Sequence, residues 1–211
     1  MITLSLDTTT QIASAAITEN GKLLCEYTLN SGNTHSVTLL PMVKHMLETV
    51  KLSCRDVDLY AVSVGPGSFT GVRIGVSCAK GLEGIICPVI NARRSQVYTA
   101  LFKSEGGSIT RLTDDAILVI PELEEKLSEY KSVWFVGDAY DMVSYMTNNI
   151  TPLNLRNVNA AGVASVGERI YREAADKAVF TDAALQPVYL KKTQAERERE
   201  ERLSMEEKNN E

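Results

Sequence analysis

Two short runs in this chain have the residue types to hold an anion. Asp7-Thr8-Thr9 sets a carboxylate and two hydroxyls at the end of an apolar strand, Ile2 to Leu6. Such a turn can hold a phosphate or a hydrated magnesium ion, although Asp and Thr are also ordinary turn formers. The second run is residues 58–82, DLYAVSVGPGSFTGVRIGVSCAKGL. It reads as a strand from Leu59 to Val64, a glycine turn at Gly65-Pro66-Gly67 and a helix opening at Ser68, whose hydroxyl can cap the first turn. A helix N-terminus behind a glycine loop is an anion site in waiting. The spacing Gly65, Gly67, Gly71 misses the dinucleotide fingerprint by one residue and lacks the lysine of a P-loop. A structural strand–turn–helix is therefore the stronger reading.

The helix itself carries a second signal. Gly71, Gly75 and Ala79 recur every four residues and line one face. Each interior glycine costs a helix about 1 kcal/mol relative to alanine. Close approach of another helix backbone compensates, by the steric logic of small-residue contacts. The remaining chemistry-bearing residues are sparse. His35 and His45 are ten apart and cannot share a metal from one helix face. Cys25, Cys54, Cys78 and Cys87 form no CxxC pair, which argues against a zinc site and for free thiols. Arg93 and Arg94 are adjacent, so an extended chain points them opposite ways.

The elements that position these groups follow from pattern. A β-meander runs Ile2 to Leu6, Ile12 to Thr18 and Lys22 to Leu29, with Glu19-Asn20-Gly21 as the hairpin turn. A helix then runs to about Val50, with Pro41 in its first turn or at a kink. Leu40, Val43, Leu47 and Val50 make one apolar face, and Leu39, Met42 and Met46 a neighbouring one. That stripe suits burial on two sides, one on its own sheet and one on a partner. Further on come strands at Ile85 to Ile90, Val97 to Lys103 and Val133 to Val136, the last ending at Gly137-Asp138. Helices are expected at Pro121 to Tyr130, from Asp141 to Met146, and from an Asn159 cap to about Ala175. The tail from Gln194 is dominated by Glu and Arg. This is an α/β chain in two lobes, 1–94 and 95–193, with a charged tail at 194–211.

Composition bounds the function. The 211 residues are 44% apolar and 23% charged, ordinary for a globular protein. A formal charge of −5 argues against a stand-alone nucleic-acid binder. The N-terminus lacks a signal-peptide pattern and no run reaches the length of a membrane span, so a cytoplasmic location is expected.

Taken in order, LSLDTTTQIASAAI, THSVTLLPMVKHML, SVGPGSFTGVRIGVSCAKGL, NARRSQVYTALF and QPVYLKKTQAERE resemble the TsaB (YeaZ) family across nearly the whole chain. GPGSFTGVRIG is the most specific segment. The resemblance implies a two-lobed actin-like ATPase (ribonuclease H-like) fold with a Gcp-like domain. It implies a non-catalytic subunit that pairs with a TsaD-like transferase, which threonylcarbamoylates the tRNA adenosine beside the anticodon, and that a TsaE-like ATPase joins. tRNA is then met only through the complex, with no cofactor bound by this chain itself, ATP and magnesium entering at the level of the complex, and a homodimer when the chain is alone. By motif position the partner interface is His35, Leu39, Leu40, Val43 and Leu47 on the first helix. On the second it is Ser68, Phe69, Thr70, Gly71, Arg73, Gly75 and Ala79. Asp7, Thr8, Thr9, Gly65 and Gly67 match a vestigial nucleotide site. The alternative is a small Mg-ATP-dependent ATPase or kinase of the same superfamily. One departure stands out. The family continues from AKGL through a further strand and helix, whereas Gly81-Leu82-Glu83-Gly84 here runs straight into Ile85, so a βα piece of lobe one is missing. Asn91 also stands where the family commonly carries an acidic residue.

Overall fold

The computed structural model describes residues 1–32, 34–63, 82–106, 108–181 and 184. The first sheet contains β1 (Ile2–Asp7), β2 (Ala13–Glu19), β3 (Lys22–Leu29) and β4 (Leu59–Val62), in the order β3-β2-β1-β4. β1 pairs antiparallel with β2 and parallel with β4. The hairpin turn at Asn20-Gly21 takes positive φ at both residues, 51° and 80°, as a tight two-residue connection requires.

Alternation along β1 and β2 gives this sheet two unlike faces. Leu4, Ala15 and Ile17 pack with Val43, Met46 and Leu47 of α1 (His35–Thr49). The opposite face is small and polar, with Ser5 and Ser14 fully buried. It receives α3 (Ala160–Glu173), an element of the C-terminal part of the chain. Ser5 Oγ donates to the Ala160 carbonyl at 2.6 Å, and the Ala160 amide donates to Ser14 Oγ at 2.9 Å. The Ala161 amide donates to Glu26 Oε1 at 3.0 Å. The helix start, capped by Asn159 through the Gly162 amide, is thereby bonded into the other lobe.

The second sheet is built on β5 (Gly84–Arg93), with β6 (Gln96–Thr99) and β7 (Phe102–Glu105) antiparallel to it and β10 (Val133–Val136) parallel. β8 (Ser108–Arg111) extends β7, and β9 (Ala116–Val119) extends β6. Its core gathers Cys87, Val89, Val97, Phe135 and Val143 with Leu123 and Leu127 of α2 (Ile120–Leu127). The chain β9-β6-β5-β10 repeats the arrangement β3-β2-β1-β4 of the first sheet.

Several elements differ from the sequence reading. Residues 84–93 run in the second sheet, so the expected 94/95 boundary falls within the β5–β6 hairpin rather than between lobes. Among the described residues the first sheet stops at β4, and the chain enters the second sheet at Gly84. The expected strand from Val97 to Lys103 is two strands, because Ala100 and Leu101 lie between β6 and β7. The helix expected to Tyr130 ends at Leu127, and that expected from Asp141 is a short turn at Tyr140–Val143 followed by a 3-10 turn. Pro41 lies inside α1, beyond its first turn. Its missing N–H leaves the Val37 carbonyl without a helical partner, which water can serve because Val37 is 67% exposed. The expected glycine-turn helix at 68–82 lies outside the described residues except for Leu82, and so does the tail.

Candidate functional site in the interlobe cleft

A cleft of about 840 Å³ opens where the ends of β1, β5 and β10 meet. Thr9 and Thr10 line it from the first lobe, Asn91 and Arg93 from the end of β5, and Asp138 and Tyr140 from the end of β10. The volume falls within the roughly 300–1,000 Å³ of ordinary ligand sites.

Asp7 ends β1 and is 1% exposed. Its Oδ1 accepts from the Thr9 amide at 2.9 Å and the Thr9 hydroxyl at 2.8 Å. Its Oδ2 accepts from Ser63 Oγ at 2.7 Å, which ties the end of β1 to the end of β4. The carboxylate therefore shapes the 8–11 turn as an Asx motif and stands behind the cleft wall that Thr9 and Thr10 form.

The facing acid is Asp138. Gly137 precedes it with φ of 120°, and a Cβ there would run into the Val89 carbonyl. Only glycine lets β10 turn this closely over β5. Asp138 Oδ1 accepts from the Asn91 amide at 2.9 Å. Burial pushes the Asp138 carboxyl above its ordinary range; the bonds from Asn91 and its own amide oppose that, and the charge of Asp7 adds to it. Asp138 thus lines the cleft, while Asp7 stands behind its wall in the first lobe.

Cationic and donor groups complete the lining. Arg93, Arg94 and Ser95 all take positive φ, 62°, 54° and 56°, in the tight β5–β6 connection, and the Arg93 amide donates to Asn91 Oδ1 at 2.8 Å. Arg156 donates from Nε to the Thr151 carbonyl at 2.8 Å and lies 4.2 Å from the centre of the Tyr140 ring. His35 opens α1 and also lines the cleft. Its Nε2 is 2.8 Å from the Thr10 carbonyl, which can only accept, so Nε2 carries the proton. Nδ1 is buried and, among the described residues, has no hydrogen-bond partner. Polar groups of both signs around one cleft suit a ligand that is itself highly polar. Among the described residues no three His, Cys, Asp or Glu side chains gather closely enough to hold a metal ion.

The structure divides the residues singled out from sequence. Asp7 and Thr9 are joined by hydrogen bonds, with Thr9 and not Asp7 at the cleft surface. His35 faces the cleft rather than the outer side of α1. Val43 and Leu47 are 9% and 6% exposed and sit in the core between α1 and the sheet, which removes them from any partner surface in the folded chain. Leu39 is half-buried, and Leu40 is 74% exposed. Gly65, Gly67, Ser68, Phe69, Thr70, Gly71, Arg73, Gly75 and Ala79 lie outside the described residues. Asp138, Arg93, Asn91 and Arg156 were missed as site residues. The available signal was the match between the two strand ends, Asp7 after β1 and Gly137-Asp138 after β10.

A family model described as TsaD, tRNA N6-adenosine threonylcarbamoyltransferase, matches residues 23–85. The tRNA threonylcarbamoyladenosine biosynthesis protein TsaB of Bacillus subtilis is 28% identical over 175 residues, covering 71% of this chain and 76% of that protein. The protein of the same name from Escherichia coli is 28% identical over 158 residues, 62% of this chain and 68% of that one. The Haemophilus influenzae protein is 41% identical over 88 residues, 41% of this chain and 37% of that one. Among solved structures, YeaZ from Pseudomonas aeruginosa superposes with a TM-score of 0.67 at 20% identity, covering 90% of this chain and 99% of that one. The fold is therefore that of YeaZ. The Bacillus match has 175 positions but takes in 71% of 211 residues, about 150, so about 25 positions of the relative face no residue here. The Haemophilus match has 88 positions on 41% of 211 residues, about 87, and is almost free of such gaps.

Proposed function

The chain belongs to the TsaB (YeaZ) family, and from that premise we propose that it is a non-catalytic subunit pairing with a TsaD-like transferase in the formation of threonylcarbamoyladenosine on tRNA. The observation that carries the reading is the outer side of α1. Val37 and Leu40 are 67% and 74% exposed, one helical turn apart, within the segment that the TsaD family model matches. Exposed apolar side chains adjacent on one helix form a contact surface. In this reading a TsaE-like ATPase joins the pair in the cytoplasm, and tRNA is met through the assembly. The test is size-exclusion chromatography of the full chain with and without its cognate TsaD-like protein. Co-elution as a complex is expected. Separate elution of two unpaired proteins at micromolar concentration removes the proposal.

A second reading has the cleft in its favour: Asp138, Asp141 and about 840 Å³ between the lobes suit Mg-ATP binding by the chain itself, with Asp7 shaping the wall behind Thr9. Calorimetric titration of the isolated chain with Mg-ATP separates it from the first, and an absence of saturable heat removes it.

A further inference from the structure

We propose that a separate cavity, between the β2–β3 hairpin and α3, is a binding site for a small free α-amino acid, with the ligand's ammonium on Glu168 and its carboxylate on Arg169 and Arg172. The cavity holds about 270 Å³ and shares no lining residue with the interlobe cleft. That is below the roughly 300–1,000 Å³ of sites for drug-sized ligands.

Glu168 is the reason to look there. It is 3% exposed, on the face of α3 that meets the sheet. Its Oε1 accepts from Thr18 Oγ1 at 2.6 Å, which anchors α3 to β2. Anchoring accounts for one oxygen only. Among the described residues, Oε2 meets Arg172 at 3.5 Å, and the Arg172 side chain is 70% exposed. A buried carboxylate is retained where its charge is met by close partners. A long contact to a solvated arginine meets it poorly. Gly21, with φ of 80°, forms the cavity wall opposite. A Cβ built there would stand at ordinary contact distance, 3.8 Å, from Oε2, which places that oxygen beside the part of the cavity lined by Gly21.

The other lining groups narrow the ligand class. Arg169 also lines the cavity and makes no ion pair among the described residues. Leu23, 47% exposed, supplies an apolar wall. An amine alone would satisfy Oε2 but meet two guanidinium groups. An anion alone would meet the buried carboxylate. A zwitterion with opposite charges one carbon apart satisfies both sets, and its side chain can lie on Leu23.

The test is calorimetric titration of the full chain with glycine, L-serine and L-leucine, with methylamine and acetate as single-charge probes. Saturable binding of at least one amino acid is expected, with both single-charge probes weaker by about tenfold or more. Glu168→Gln and Arg172→Met should each weaken that binding by about tenfold or more, since charge-assisted bonds are lost. Arg172→Met changes an exposed side chain, so it keeps the test decisive should Glu168→Gln unfold the chain. The idea is overturned by an absence of saturable binding for all three amino acids. It is equally overturned if acetate or methylamine binds as tightly, or if folded Arg172→Met binds as the parent does.

Discussion

Leu40 and Leu47 lie seven residues apart on α1, and the structure predicts opposite consequences for truncating them. Leu40 is 74% exposed and Leu47 6% exposed, in a core with Leu4, Ile17 and Met46. Full burial of a leucine side chain is worth about 1.5–3 kcal/mol. A partner that covers Leu40 therefore gains about 1–2 kcal/mol from it. Leu40→Ala should raise the Kd for the TsaD-like subunit about tenfold, since each 1.4 kcal/mol is a factor of ten. It should leave folding nearly untouched, because alanine is the best helix former and little buried surface is lost. Leu47→Ala removes buried methyl groups and leaves a cavity, costing about 2–5 kcal/mol of a total that is only about 5–15 kcal/mol. The assays are urea denaturation of each isolated variant and titration of each folded variant against the partner. Two results would refute the reasoning. One is Leu40→Ala destabilising the chain as much as Leu47→Ala. The other is Leu40→Ala binding the partner within twofold of the parent, which would move the contact off this strip.

Two further perturbations test the lobe junction. Gly167 faces Ala61 of β4, and a Cβ there would stand 2.7 Å from the Ala61 Cβ. Neither group can swing aside, so Gly167→Ala should cost about 1–3 kcal/mol by overpacking despite alanine's better helix propensity; a raised urea midpoint would contradict the close packing of α3 on β4. Asp138 has its carboxyl raised above the ordinary 3.8, chiefly by burial. A carboxyl with a raised folded value holds its proton more tightly when folded, so its ionisation penalises the fold as pH rises above 3.8. Asp138→Asn keeps an oxygen for the Asn91 amide and removes that penalty. It should melt higher than the parent at neutral pH, with the margin shrinking as the buffer is taken toward 3.8; an equal margin throughout would deny the shift.

The strands of the first lobe were legible because the hydrophobic period of two is intact in β1 and β2 and the Asn-Gly turn between β2 and β3 has one good solution. The existence of α1 was legible too, but the allocation of its faces was not. Leu40, Val43 and Leu47 are spaced as one stripe, and spacing cannot say where a stripe leaves the core. The sheet takes Val43, Met46 and Leu47 and leaves Leu40, one turn before Val43, exposed. The boundary between lobes was misread because β5 follows the first-lobe segment without a linker, and only strand pairing reveals that Gly84–Arg93 belongs with β10. Asp138 was missed for a related reason. A Gly-Asp pair at a strand end is common, and its importance comes from Asp7, 131 positions earlier in the chain, being brought near it.

The polar inner face of the first sheet explains how the two halves are held. Buried strands ordinarily place branched apolar residues on both faces when both are covered. Here Ser5 and Ser14 are fully buried on one face, although in sequence they read as the solvent-facing positions of a period-two strand. Their hydroxyls meet the carbonyl and amide of Ala160, and Glu26 meets the amide of Ala161. These are main-chain groups at a helix start, which have no partner within their own helix at the amide end. The bonds therefore depend on where the backbone of α3 begins, and hardly on which side chains it carries. A shift of α3 along the sheet by one residue would strand several buried polar groups together, each costing about 1–3 kcal/mol. An apolar face would allow such a slide at small cost. The serines thus fix the register of the second lobe on the first, and with it the separation of Asp7 from Asp138 across the cleft.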